Sequence, residues 1–430
     1  MERSSAHDII DPKRKEYIMH LYIHIPFCKQ KCSYCDFVSG SYPAKTQDDY
    51  ISSLILELDR IFLQISPDRF KTIYIGGGTP SALSRYNIER LLQTLSCINL
   101  DHLEEFTMEC NPESVDEKLV VLMKKYKIRR VSMGVQSANE DELRFLDRIH
   151  DFDQVKKAVA LLRSYDIQNI SLDLIFDLPG QNLQSLQNSI DAFVSLKPRH
   201  ISCYSLIIEP GTPMMQWLKE GKISVGSDEN YVLQQRFITE ELAKHGFHQY
   251  EISNYAQDGS EAIHNSSYWT GKDYIGAGIS AHSKEGRYRY ANTCDIERYI
   301  RCLRSDRTDT HPAAKAITAP EGSPENAVTL SEISWRAPID QDTIEELSPK
   351  DRLNELFFLG LRRNVGISKE QIAEAIKELP AEKQKSAQDR IDRSIKDLLA
   401  KKLLQSEGDR IFLTQEGREI SNTVFVELML

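Results

Sequence analysis

The sequence predicts an α/β fold: a partial barrel of six parallel strands, each followed by a helix, with a small helical, winged-helix-like module behind it. Three observations carry that expectation. Short β-branched runs alternate with longer amphipathic stretches between residues 21 and 206, the βαβ signature of a parallel sheet. Polar and glycine-rich residues fall at the end of one run after another, where parallel barrels place their functional groups. From residue 347 the pattern turns helical and closes on a short strand pair.

Strands are expected at 21–25, 72–75, 105–109, 130–133, 170–175 and 200–206, with helices at 46–63, 84–95, 116–126, 153–165 and 183–196. A further helix spans 231–244 and stops at Gly246. Residues 1–20 form a polar N-terminal extension, 21–303 the barrel with its continuation, 304–346 a linker or loop rich in Pro, Ala, Ser and charges, and 347–430 the last domain. In that domain, helices at 351–361, 368–378 and 390–399 precede a strand pair turning at Gly408-Asp409.

Composition narrows the function. The 430 residues are 40% hydrophobic and 27% charged, ordinary for a globular chain, and the net charge of -10 argues against a nucleic-acid surface. Winged-helix modules often bind DNA, but the helix at 391–402 is of mixed charge, so the module reads as a structural or docking cap. Eight cysteines, five of them scattered (Cys97, Cys110, Cys203, Cys294, Cys302), do not make a disulfide framework in a chain this long, so a reducing cytoplasm is expected. The first twenty residues lack a signal peptide's apolar stretch, and no window has the length of a membrane span.

The strongest signal is Cys28-Lys29-Gln30-Lys31-Cys32-Ser33-Tyr34-Cys35, directly after the first strand. Structural zinc sites take four ligands, and no second CxxC or HxxxH pair follows. Three cysteines can instead hold a 4Fe-4S cluster while leaving one iron free for an exchangeable small molecule. After the second strand comes Gly76-Gly77-Gly78-Thr79-Pro80, which removes side chains where a backbone must approach a ligand. Glu109, Gln136, Arg148 and Asp173 follow at or near later strand ends, as does Tyr204. Each could cap a helix or pair on the surface; together they suggest the polar shell of a nucleoside-bearing ligand.

Farther on, His248 to Ala256 and His264-Asn265-Ser266-Ser267-Tyr268-Trp269 cluster histidines with aromatic residues. Two readings fit: an aromatic core around a satisfied histidine, or a face for a flat ligand such as a porphyrin, with the histidine as axial ligand.

CxxxCxxC with an aromatic before the last cysteine resembles the radical S-adenosylmethionine (radical SAM) superfamily, in which SAM chelates the free iron. The likeness extends to Tyr22-Ile23-His24-Ile25-Pro26-Phe27-Cys28, residues 76–81, Glu109-Cys110-Asn111-Pro112, Gly134-Val135-Gln136-Ser137, Arg148-Ile149-His150 and Asp173. In these the chain resembles the anaerobic coproporphyrinogen III oxidase family, with 304–337 the poorest part. The resemblance implies a radical SAM partial (β/α)6 barrel with Cys28, Cys32 and Cys35 on the cluster. It implies Tyr22, Gly77, Gly78, Thr79, Glu109, Gln136, Arg148 and Asp173 around SAM.

The family has an oxidase branch and a heme-chaperone branch. The oxidase carries a further cysteine where this chain has Phe37, whereas HNxxYW and the compact C-terminal cap are similar to the chaperone branch. That likeness implies heme as a third cofactor with His264 as its candidate ligand, and a heme-acceptor protein, a respiratory one among the candidates, as partner. A retained SAM shell implies SAM binding and leaves open both a chaperone and an enzyme that decarboxylates coproporphyrinogen propionates. Ser280, in Gly276-Ala277-Gly278-Ile279-Ser280, stands where the branch usually has glycine.

Overall fold

The computed structural model describes residues 18–305 and 338–430. All six expected strands are present, in chain order: β1 (Met19–Ile25), α1 (Ala44–Phe62), β2 (Phe70–Gly77), α2 (Arg85–Leu95), β3 (Glu105–Cys110), α3 (Glu117–Lys125), β4 (Arg130–Gln136), α4 (Glu140–Phe145), α5 (Phe152–Ser164), β5 (Asn169–Phe176), α6 (Leu183–Ser195) and β6 (His200–Ser205). Neighbouring strands from β1 to β6 pair in parallel, in sequence order. The helices start where side chains can cap them: Ser84, Asp116, Asn139, Asp151 and Asn182 each accept a backbone N–H of the first turn.

Alternation along the strands decides which face is which. Leu21, Ile23 and Ile25 of β1, Ile73 and Ile75 of β2, Phe106 and Met108 of β3, and Val131 and Met133 of β4 are buried in the core that the helices cover. Their alternate neighbours face the lumen: Tyr74, Glu109, Ser132, Ser171, Asp173, His200, Ser202 and Tyr204 all line one cavity. The lumen is therefore polar.

The continuation after β6 contains the expected helix and several elements that were not expected. It contains α7 (Pro213–Lys219), α8 (Asp228–Lys244), β7 (His248–Gln249), β8 (Asn254–Ala256), α9 (Ile263–Trp269), β9 (Tyr274–Ala277), β10 (His282–Glu285), β11 (Tyr288–Ala291) and α10 (Ile296–Arg304). Two of these strands extend the sheet beyond β6 and three beyond β1, where β9 runs parallel to β1. Strands of two to four residues carry too little periodicity to be read from sequence.

The expected linker lies mainly outside the described residues. Its end is a correction, since β12 (Glu345–Glu346) pairs with β11 and so belongs to the barrel sheet.

The last domain follows as α11 (Pro349–Gly360), β13 (Ile367–Ser368), α12 (Lys369–Lys377), α13 (Ala381–Ala400), β14 (Leu404–Glu407), β15 (Arg410–Leu413), α14 (Gln415–Glu419) and α15 (Ser421–Leu428). It packs around its own core, including Leu353, Phe357, Ile391 and Ile411, and its three-stranded wing turns at Gly408-Asp409. The third helix starts nine residues before the expected 390, because residues 381–389 are polar and carry no apolar stripe. No helix among the described residues is long and apolar enough to cross a membrane.

A buried carboxylate fixes the turn after β9. Glu57 of α1 accepts from Gly278 N (2.8 Å), Asn292 Nδ2 (2.6 Å) and the Tyr299 hydroxyl (2.5 Å). In this turn Ser280 has φ +56°, the left-handed region that glycine enters without strain. Ser280→Gly is expected to stabilise the fold by about 0.5–1 kcal/mol, the balance of left-handed strain against glycine's entropy. Thermal denaturation of the two proteins checks this.

Candidate functional site

The loop after β1 is tied down by backbone hydrogen bonds. Gly40 N donates to Pro26 O and Cys28 N to Gly40 O, both at 2.9 Å. On the other side, Gly78 N donates to Ile25 O and Thr79 N to Phe27 O, both at 2.8 Å. The cysteine loop and the glycine turn are therefore one unit.

Close approach requires these glycines. A Cβ at Gly78 would stand 3.0 Å from Cys28 Sγ and 3.0 Å from Ile25 O, and one at Gly77, where φ is +111°, would strike the His24 ring at 2.6 Å. A flexible turn does not describe this packing. Gly134 has the same cause, since a Cβ there would crowd the Asn111, Gln136 and Arg148 side chains.

Cys28, Cys32 and Cys35 line the mouth of a cavity of about 390 Å³ that runs down the lumen. All three are unpaired and half-buried. The Thr79 hydroxyl lies 3.6 Å from Cys28 Sγ, and Arg148 Nη1 donates to Cys32 Sγ at 3.5 Å, so donors already face the sulfurs. Among the described residues no group of His, Cys, Asp and Glu stands ready around a single metal ion.

Beyond the thiols the walls are polar. Glu109 accepts from the Tyr74 hydroxyl (2.7 Å) and from Gly77 N (2.9 Å), and burial pushes its carboxyl up to about 7. Asp173 receives the Ser132 hydroxyl at 3.3 Å, and burial lifts it to about 6. Arg148 donates from Nη2 to Asn111 Oδ1 (2.9 Å) and to Gly134 O, while its buried Nε has no protein partner. Gln136 closes β4 with φ +71°, where the register of β4 against β5 shifts. Two carboxylates, a guanidinium with an open N–H and a side-chain-free glycine turn beside three thiols suit a ligand with amino, carboxylate and hydroxyl groups.

The structure brings Gly77, Gly78, Thr79, Glu109, Gln136, Arg148 and Asp173 together on this cavity. Tyr22 is placed differently. It lines a neighbouring hollow, stacks on Tyr74 with centroids 6.2 Å apart, and bonds His24 Nδ1 at 3.0 Å.

His264 is a correction. It is fully buried, with Nδ1 on the Thr72 hydroxyl (2.7 Å) and Nε2 on the Tyr268 hydroxyl (2.8 Å), so neither nitrogen is free for iron. Burial lowers its pKa to about 3. Of the two readings of this segment, the satisfied core histidine is the one found; Asn265, next to it, faces the cavity.

The floor of the lumen escaped sequence reading. Glu105 accepts from Ile263 N (2.8 Å) and His264 N (3.2 Å) at the start of α9, and Arg130 Nη1 donates to Ser260 O at 3.0 Å. His200 is held between the Ser171 (2.7 Å) and Tyr250 (2.9 Å) hydroxyls. Polar residues at every second strand position were the available signal.

Comparison with known proteins now adds to this geometry. The family model of the Radical SAM superfamily matches residues 22–193, and that of the HemN C-terminal domain matches residues 347–420. Among solved structures, coproporphyrinogen III oxidase (HemN) from Escherichia coli shares the fold, with a TM-score of 0.74 at 18% identity, covering 96% of this chain and 90% of that one. Fold and cysteine loop together define a radical SAM protein, a class built on a 4Fe-4S cluster and SAM.

The particular family follows from similarity along the whole chain. The chain is 32% identical over 406 residues to heme chaperone HemW of Bacillus subtilis (strain 168), covering 94% of this chain and 97% of that protein. It is 32% identical over 410 residues to heme chaperone HemW of Lactococcus lactis subsp. lactis, covering 95% and 97%. The chain belongs to the HemW family.

The raised carboxyls predict a pH dependence. Glu109 titrates near 4.5 when exposed and near 7 when folded, so its share of stability is complete below about pH 4.5 and is lost as pH rises through about 7. Asp173 acts likewise between 3.8 and about 6. Between pH 5 and pH 8 the ligand-free wild type should therefore lose stability relative to Glu109→Gln, on the order of 3 kcal/mol across the window, in denaturant titrations of the two proteins. His264→Ala should lower stability by on the order of 3 kcal/mol, because Thr72 and Tyr268 lose a buried partner.

Proposed function

We propose that the protein is a heme chaperone, which binds heme as cargo and passes it to an acceptor protein. Full-length similarity to relatives named heme chaperone HemW carries the reading. Phe37, in place of the additional cysteine of the oxidase branch, supports it.

Cys28, Cys32 and Cys35 hold the cluster, and the lumen holds SAM. Glu109 and Asp173 offer oxygens to SAM's amino and hydroxyl donors, Arg148 offers its open N–H to the carboxylate, and Gly77, Gly78 and Thr79 let the ligand lie against the backbone. Gln136 completes the shell. Tyr22 acts from outside, its ring against Tyr74, whose hydroxyl orients Glu109. When bound, the cluster supplies a low-potential electron to the sulfonium of SAM. Eight unpaired cysteines support a reducing, cytoplasmic setting, and a respiratory heme protein is the acceptor class we favour.

The polar shell also keeps an oxidase reading in play, in which the protein would decarboxylate coproporphyrinogen III. Hemin titrated into anaerobically reconstituted protein should build a saturable Soret band at a single heme per chain, while coproporphyrinogen III with SAM and a low-potential reductant stays unchanged. Porphyrinogen consumption with release of deoxyadenosine would transfer the assignment to the oxidase. Cys28→Ala should remove the cluster's visible absorbance.

A further inference from the structure

The lumen-facing side of the sheet does not end at β1. Strand pairing carries it onward: His20 stands opposite Tyr274, Lys284 opposite both Tyr274 and Arg289, and His282 shares the face of Lys284 two residues away. There the sheet floors a second hollow of about 640 Å³, within the range of small-molecule sites. Its walls are aromatic, from Tyr268 and Trp269 of α9, Tyr274 of β9, and Phe37 at the rim, 60% exposed.

We infer that this hollow is the heme seat, with the porphyrin plane against the aromatic wall, the iron on His282, and the propionates at Lys284 and Arg289. This rests on the chaperone reading and deepens it by naming the site and the ligand.

The histidines decide the axial ligand. His24 also lines the hollow, but its Nε2 bonds Val38 O (2.9 Å) and its Nδ1 bonds Tyr22 (3.0 Å). His264 is used on both nitrogens. His282 is exposed, and no described residue hydrogen-bonds its ring. An imidazole on a strand with a free nitrogen is what a heme iron requires.

The charges decide the orientation. Lys284 Nζ sits 3.4 Å from Asp273 and Arg289 Nη1 2.8 Å from Glu355, so both cations are fixed in place. Two buried donors in this wall, Arg289 Nε and Trp269 Nε1, have no hydrogen-bond partner. A ligand bearing carboxylates completes the arginine, since a guanidinium accommodates them by its fork. Asp36 is the carboxylate on the lining itself, and it lies on the cluster side.

One loop joins the two sites. Asp36 and Phe37 line both the cluster cavity and the hollow, so the chain leaving Cys35 is a wall common to them.

The test is hemin titration of the cluster-loaded full chain, wild type beside His282→Ala, His264→Ala and Arg289→Gln. His282→Ala should weaken hemin binding by at least about tenfold and shift the Soret band, with thermal stability and cluster absorbance unchanged and the band restored by added imidazole. Iron-free protoporphyrin should bind His282→Ala as it binds wild type and should bind Arg289→Gln more weakly. Wild-type binding with an unaltered His282→Ala spectrum and affinity would overturn the seat while leaving the chaperone reading standing. No hemin binding by wild type would remove both.

Discussion

Buried polar side chains on one face of β1 to β6, with apolar residues on the other, are the constraint on which the rest of this protein depends. A hydrogen-bonding group left unpaired in such an interior costs about 1–3 kcal/mol, so each residue facing the lumen demands a partner or a ligand. At the floor the partners are protein groups: α9 gives its first N–H groups to Glu105, and Thr72 joins His20 to His264. At the mouth the pairing is incomplete. Arg148 keeps an open N–H, and Glu109 and Asp173 hold their protons more tightly than exposed carboxyls do. Apart from His20 Nε2, the floor is thus closed by the chain, and the mouth is left to bind.

The same logic explains the glycine turn. Its backbone donates to the end of β1 and to the start of the loop that carries the cysteines, and Gly77 N donates to Glu109, so the thiols and the acid are positioned by one short piece of chain. Side chains at 76–78 would meet Glu109, the His24 ring and Cys28 in turn. The conformational entropy that glycine costs is offset here by contacts that no other residue permits.

How much of this was legible in the sequence depended on whether a feature is local. Strand order, the cysteine loop and most of the polar shell could be read, because each belongs to a run of a few residues with its own period or spacing. His264 could not. Whether it offers a nitrogen or buries both is set by Thr72 and Tyr268, and Thr72 lies 192 positions earlier in the chain. The short strands β9 to β11 were missed because β9 is placed by pairing with β1, and β10 and β11 by pairing outward from β9, contacts that leave almost no periodic trace in four residues. Ser280 was visible as an oddity, and only its backbone angle gives the reason glycine is usual there.

Helix α9 links these levels. Within seven residues it places His264 in the core, Asn265 on the lumen, and Tyr268 and Trp269 on the outer hollow, as a helix presents different faces at successive positions. On the inference of a heme seat there, the HNxxYW segment serves it without ligating the iron: His264 anchors the helix, and the anchored helix presents the aromatic wall. On the other side of β1, the loop through Asp36 and Phe37 bounds both cavities. Any coupling through that shared wall is reciprocal by thermodynamic necessity, so cargo would bias the cluster loop as much as the cluster loop biases cargo.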